Sequence, residues 1–161
     1  MTEPGIAWTF TPTGRGAGSR RRMIRQQTAM LARAPLFQGL SRAHLRQLAE
    51  ASAFRRVRAG TVLVKEDVAG SVFFVILSGN ANVVRGERTL KRLGPNDFFG
   101  EMSVLTKMPR SASVIAETPM ECLTLSATGL RTAMNRDPSI AVRLLGTLAD
   151  RLASLDRSLH V

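Results

Sequence analysis

The chain has 161 residues, 44% of them hydrophobic, which suits one compact domain with a real apolar core. Its formal net charge is +11, and of the 23 basic residues only Lys65, Lys91 and Lys107 are lysine. The excess points to an anionic partner without separating nucleic acid, a membrane surface and a phosphate-bearing small molecule, although arginine, a planar donor, favours phosphate. Cys122 is the single cysteine, so an intramolecular disulfide is excluded and a reducing compartment is expected. It lies in the alternation "MECLTL" and reads as a buried strand thiol. The opening "MTEPGIAWTF" has no apolar run of signal-peptide length. The longest apolar stretch, Val72 to Leu77, falls far short of the ~20 residues that span a bilayer. A soluble, cytoplasmic protein with no membrane partner is the expectation.

Residues 1–24 read as a flexible basic tail, rich in Gly, Pro, Ser, Thr and Arg and without a period. Gly14, Gly16 and Gly18 mimic a dinucleotide loop, but no strand precedes them and arginines follow, so that loop is not expected. Arg20, Arg21 and Arg22 read as a solvated cluster, and nucleic acid is not the expected partner. The domain proper is placed at 25–161. Helical residues run from Met23 to Leu36, limited by Pro35. A second helix follows in "LSRAHLRQLAEAS", with Ser41 as its cap and Leu45 and Leu48 as apolar neighbours. His44 reads as a surface histidine of that helix.

The period then changes to two. Short strands at "AFRRVRAG", "TVLVKED", "SVFFVILSG", "NANVVRGE", "RTLKRLGP", "RSASVIAET" and "MECLTLS" are separated by turn residues, with a tight hairpin at Arg85-Gly86-Glu87. The expected fold is mainly β with flanking helices: an antiparallel β-roll or jelly roll over about 52–126. Short helices precede it and two C-terminal helices, about 127–161, follow it. The second of these opens at Pro138. Ala141, Leu145, Leu148, Leu152, Leu155 and Leu159 recur along it at heptad spacing, so a homodimer through Leu145, Leu148, Leu152 and Leu155 is expected. Packing of the same seam on the barrel is the alternative, which Leu144 beside it allows.

The chemistry concentrates in "DFFGEMSVLTKMPRSASV", Asp97 to Val114. Gly94-Pro95-Asn96-Asp97 is a turn signal, with Asn tolerating positive φ. Gly100 allows a close backbone approach, and "EMSVLTK" is long enough for one or two helical turns with unpaired amides at its start. Arg110 offers a fork of donors for phosphate oxygens, and Ser111, Ala112 and Ser113 leave that approach uncrowded. A carboxylate cannot hold phosphate, so Glu101 is left to accept from a sugar hydroxyl. Phosphate at one end and a hydroxyl at the other describe a ribose phosphate.

At these residues the sequence resembles the cyclic nucleotide-binding domain family, shared by the bacterial catabolite activator and the regulatory subunits of cAMP-dependent kinase. "FFGEMSVLTKMPRSASV" is similar to its phosphate-binding cassette, and the helix, β-roll, helix order over about residues 30–161 is the same. The resemblance implies that Glu101 binds the ribose 2′-hydroxyl and Arg110 the cyclic phosphate. Amides near Ser103 and Ser111, with the Ser111 hydroxyl, complete the cradle. Val83 and Leu90 fall where ribose and base pack, and Leu155 with Asp156 where the base is capped. The implied cyclic nucleotide-binding residues are thus Gly100, Glu101, Met102, Ser103, Arg110, Ser111, Ala112, Val83, Leu90 and Leu155. Ser111 after the arginine resembles bacterial cAMP sites, which implies cAMP as ligand, with cGMP as the alternative. Paired carboxylates, a Ser/His/Asp set and a metal-ligand cluster are all lacking from the sequence, so neither an enzyme nor a metal site is expected. In related transcription factors a helix-turn-helix domain follows the long helix, whereas this sequence stops at Val161. A stand-alone sensor signalling to a protein partner is therefore expected. The alternative is a cyclic-nucleotide-responsive regulator touching DNA through the basic tail or a missing segment.

Overall fold

A computed structural model describes residues 16–159, with side chains described as far as residue 157. Helix α1 (Ala17–Arg33), a 3-10 turn at Pro35–Phe37 and helix α2 (Arg42–Ala51) precede the strands β1 (Ser52–Val57), β2 (Val62–Val64), β3 (Val72–Ser78), β4 (Ala81–Arg85), β5 (Arg88–Leu93) and β6 (Phe98–Phe99). A short helix α3 (Glu101–Thr106), strands β7 (Ser113–Ala116) and β8 (Met120–Ser126), and helices α4 (Ala127–Arg136) and α5 (Pro138–Leu159) complete the order. The expected mainly β fold with flanking helices is what the structure holds.

The strands form two antiparallel four-stranded sheets, ordered β1-β8-β3-β6 and β2-β7-β4-β5. The run "VFFVILS" of β3 explains how they stack, because period two sends its neighbours to opposite faces. Phe73 and Val75 pack with Leu123 and Leu125 of β8 against Leu31, Phe37, Leu130 and Leu144 of the helical layer. Phe74 and Ile76 face the other way, into a cluster with Leu63, Val114, Leu93, Met120 and Cys122 between the two sheets. Buried on both faces, β3 has no need of polar alternation. Cys122 is fully buried, and loss of water with the nearby Glu121 charge pushes its thiol up to about 12, so it is an inert core residue.

Local signals explain the boundaries. Ser41 Oγ accepts from His44 N at 3.2 Å, and Ser126 Oγ from Gly129 N at 3.0 Å, capping α2 and α4. Asp137 Oδ1 accepts from Ser139 N at 3.0 Å at the start of α5. His44 Nδ1 lies 3.5 Å from Asp137 Oδ2, tying α2 to this junction. The N-terminal helix departs from the sequence reading. It begins at Ala17 rather than Met23, so Arg20, Arg21 and Arg22 belong to a helix, where the expected tail extended to residue 24. Tertiary packing is the reason: Ile24, Gln27, Met30 and Leu31 face the core at helical spacing, and the apolar contacts outweigh a weak local propensity. The Gly14-x-Gly16-x-Gly18 stretch begins outside the described residues. No helix of the described residues is long and apolar enough to cross a membrane.

Candidate functional site

The segment from Gly94 to Ala116 is folded as a turn, a two-residue strand, a short helix, a loop and a strand. Asn96 takes φ 72°, Asn96 N donates to Ile76 O at 2.9 Å, and Gly94 N donates to Asp97 Oδ2 at 2.8 Å, closing the turn. Phe98 and Phe99 then pair with β3, Phe99 stacking on Phe74 at 4.6 Å between ring centroids. This places Gly100 against the start of β3. Its φ is +90°, and a Cβ there would lie 2.6 Å from Val72 O and 2.9 Å from Arg110 Nη1. Only glycine fits, on conformation and on space.

Glu101, in the first turn of α3, is 2% exposed, and Arg110 is 3% exposed. The guanidinium of Arg110 donates through Nη1 to Gly100 O at 3.2 Å and through Nη2 to Val72 O at 3.0 Å. Its main chain is fixed as well. Arg110 N donates to Val68 O at 3.0 Å, and Asp67 N donates to Arg110 O at 2.9 Å. Asp67 has φ 64°, the turn conformation that Asp tolerates. Around it, Glu66 N donates to Ser113 Oγ at 2.9 Å and Arg85 Nε to Ser111 O at 3.0 Å. The Glu and the Arg are therefore both held at Gly100, one following it in sequence and the other bonded to its carbonyl.

Glu101 has a partner that sequence reasoning missed. Arg151, on α5, pairs through Nη1 with Glu101 Oε1. Arg151 Nη2 also donates to Phe98 O at 3.4 Å, and its guanidinium sits 5.5 Å from the Phe98 ring centroid. A third arginine, Arg131 of α4, donates through Nη2 to Val104 O at 3.3 Å, near the C-terminus of α3. Thus each C-terminal helix grips α3 through an arginine. A signal for Arg151 existed: it continues the inward stripe Ile140, Leu144, Leu148 at helical spacing.

The other candidates separate by position. Ser103 and Ala112 are buried beside the pair, whereas Ser111 and Met102 are exposed on the same segment. Val83, half-buried on β4, is paired with Val114 of β7, next to the loop that carries Arg110. Leu90 is 48% exposed on β5 and Leu155 62% exposed near the end of α5. The residue of α5 that reaches Glu101 is Arg151. A cavity of about 250 Å³ between α2 and α4, lined by His44, Gln47 and Arg136 among others, shares no residue with this cluster. Among the described residues no group of His, Cys, Asp and Glu could hold a metal ion.

Two packed sheets, a glycine-led helix at the edge of one of them, and a buried carboxylate and guanidinium held at that glycine make a β-roll with a buried polar cluster. The family model for the cyclic nucleotide-binding domain matches residues 54–137, just over half of the chain. The chain belongs to the cyclic nucleotide-binding domain family. Among curated relatives, a cyclic nucleotide-gated potassium channel of Rhizobium etli is 33% identical over 82% of this chain and 37% of its own length. A cAMP-dependent protein kinase regulatory subunit of Yarrowia lipolytica is 31% identical over 96% of this chain and 40% of its own. The chain thus spans well under half the length of these relatives. Among solved structures, the catabolite activator protein of Thermus thermophilus superposes with a TM-score of 0.72 and 32% identity, over 78% of this chain and 61% of that one.

Proposed function

We propose that this chain binds cAMP in preference to cGMP, as a cytoplasmic sensor module that reports occupancy to a partner through α5 and catalyses no reaction. The observation that carries the reading is the burial of Glu101 and Arg110 together at Gly100. Both charges are already held by protein groups, Glu101 by Arg151 and Arg110 by Gly100 O and Val72 O, and a ribose phosphate offers each of them a complementary group at the same place. The cyclic phosphate takes guanidinium donors of Arg110, the amides at the start of α3 and at Ser111, and the Ser111 hydroxyl. The ribose 2′-hydroxyl donates to Glu101. Val83 and Leu90 lie along ribose and base, and Leu155 with Asp156 lies over the base. The Yarrowia lipolytica relative's name supports cAMP, as does Ser111 at the position after the arginine.

Signalling follows from Arg151. It bonds the carboxylate that the sugar would use, so the position of α5 and the state of the site are linked, and each biases the other. Leu145, Leu152 and Leu155 are 64%, 69% and 62% exposed, an apolar stripe available to a second copy of the chain. Isothermal titration with cAMP and cGMP in parallel tests the binding function. Saturable binding of one cyclic nucleotide per chain, tighter for cAMP and without turnover, is expected. Lack of binding by either nucleotide, or conversion of the nucleotide, refutes it.

A further inference from the structure

Between Glu3 and Glu50 the sequence holds eight arginines, no lysine and no carboxylate, which accounts for most of the net +11. The structure puts five of them, Arg20, Arg21, Arg22, Arg25 and Arg33, on α1. At 100° per residue, Arg21, Arg22, Arg25 and Arg33 fall on one side of the helix, opposite Ile24, Gln27 and Leu31, which face the core. All four are exposed. None of them has an acidic partner among the described residues. The positions between them on the outer face are Gly18, Gln26, Ala29 and Ala32, all exposed, so the guanidinium groups stand clear of any bulk.

This arrangement costs helix stability. Arg21 and Arg25 are like charges at i, i+4, Arg22 and Arg25 at i, i+3, and the first turn has no acidic residue and no side-chain cap. An external polyanion offsets the repulsion. Arginine alone, without lysine, suits a row of phosphates, since each planar fork takes two oxygens of one phosphate. A lipid surface fits less well. An interfacial helix needs an apolar face toward the acyl chains, and the apolar face of α1 is already spent on the core.

We propose that the outer face of α1, through Arg21, Arg22, Arg25 and Arg33, docks the phosphodiester backbone of nucleic acid without reading its sequence. The cyclic nucleotide site is not involved in the contact. Fluorescence anisotropy of a labelled 20-mer, as duplex DNA and as single-stranded RNA, titrated with the full chain at several salt concentrations tests this. Four phosphate contacts predict a log–log salt slope of about −3.6 for the duplex and about −2.8 for the single strand. The variant R21Q/R22Q/R25Q should bring the duplex slope to about −1 and weaken binding about tenfold or more at low salt. The equally charged control R58Q/R88Q/K91Q should bind like the parent chain. If the triple variant disturbs the circular dichroism of α1, Arg25→Gln alone should still remove about 0.9 from the slope. Equal losses in the two triple variants would mean general basicity and overturn the proposal. So would an unchanged slope in R21Q/R22Q/R25Q, or tighter binding to phosphatidylserine vesicles than to either nucleic acid.

Discussion

Arg110 has one observed role and one proposed role. Its guanidinium ties Gly100 O to Val72 O, bracing the cassette on β3, and it is the cation assigned to phosphate. A charge-assisted hydrogen bond contributes ~1.5–3 kcal/mol, and ~1.4 kcal/mol is one decade. Arg110→Ala should therefore weaken cAMP binding on the order of a hundredfold by titration calorimetry. Arg110→Lys keeps the charge but loses the fork, so it should recover only part of that loss. Gly100→Ala tests the same spot from the backbone side. A left-handed residue costs ~1–2 kcal/mol, and the new methyl would meet Val72 O at 2.6 Å. Chemical denaturation should show a stability loss above about 2 kcal/mol, with ligand affinity falling in parallel. Asp137 carries a pH prediction. Hydrogen bonds from Ser139, side chain then backbone, and next His44 hold its carboxyl below the ordinary value of 3.8. Its contribution to stability is thus full above that value and is lost as pH falls through the depressed one. Asp137→Ala should flatten the acid limb of the stability curve below about pH 4.

At the scale of elements, α5 divides its leucines between two environments. Ile140 and Leu144 are 1% and 2% exposed and fasten the helix to the core, while Leu145 and Leu152 project from it at 64% and 69%. The heptad seam read from sequence is therefore a mixture, with Leu148 half-buried between the two. Because Leu145 and Leu152 contribute little to the protomer's core, replacing both with Glu should leave the fold intact by circular dichroism. A dimer along this stripe would bury those carboxylates and dissociate. Light scattering at tens of micromolar should then show a dimer for the parent chain and a monomer for the variant. A monomeric parent chain at that concentration, where a ~7 kcal/mol association would show, would rule the dimer out.

For the molecule as a whole, arginines of the two C-terminal helices join those helices to the site. Arg151 joins α5 to Glu101 and Phe98 O, and Arg131 joins α4 to Val104 O. Arg151→Ala leaves a carboxylate that is 2% exposed without its ion pair. Breaking a fully buried pair costs ~3–5 kcal/mol, and the 36% exposure of Arg151 brings the expectation below that range. The sharper readout is coupling. Hydrogen exchange along α5 should change when cAMP binds the parent chain, and in Arg151→Ala that response should shrink while Arg110 still holds the phosphate. An undiminished response in the variant would show that α5 senses the ligand by another route.

The order of elements was legible because local rules agree with the fold along most of the chain. Strand bounds near Ser52 and Ser126 follow from period two, α5 opens at Pro138 as read, and Ser41 caps α2. The cassette was legible for a related reason. Gly100, Glu101 and Arg110 are close in sequence, and positive φ at Asn96 and Asp67 is a property of those residue types. Strand β6 was missed because two residues carry no period, and Phe98–Phe99 is a strand only by its pairing with β3. The start of α1 was missed because Gly18 and Ser19 are weak helix formers and the three arginines carry no apolar period, and packing through Ile24 and Leu31 decides it. Arg151 could not be assigned to Glu101 by any local rule, since 50 residues separate them. The sequence by itself brought the residues proposed to meet a phosphate and a sugar into one short segment. Only the tertiary structure decided what holds them, because burial and long-range ion pairs depend on elements that come together after the local pattern is set.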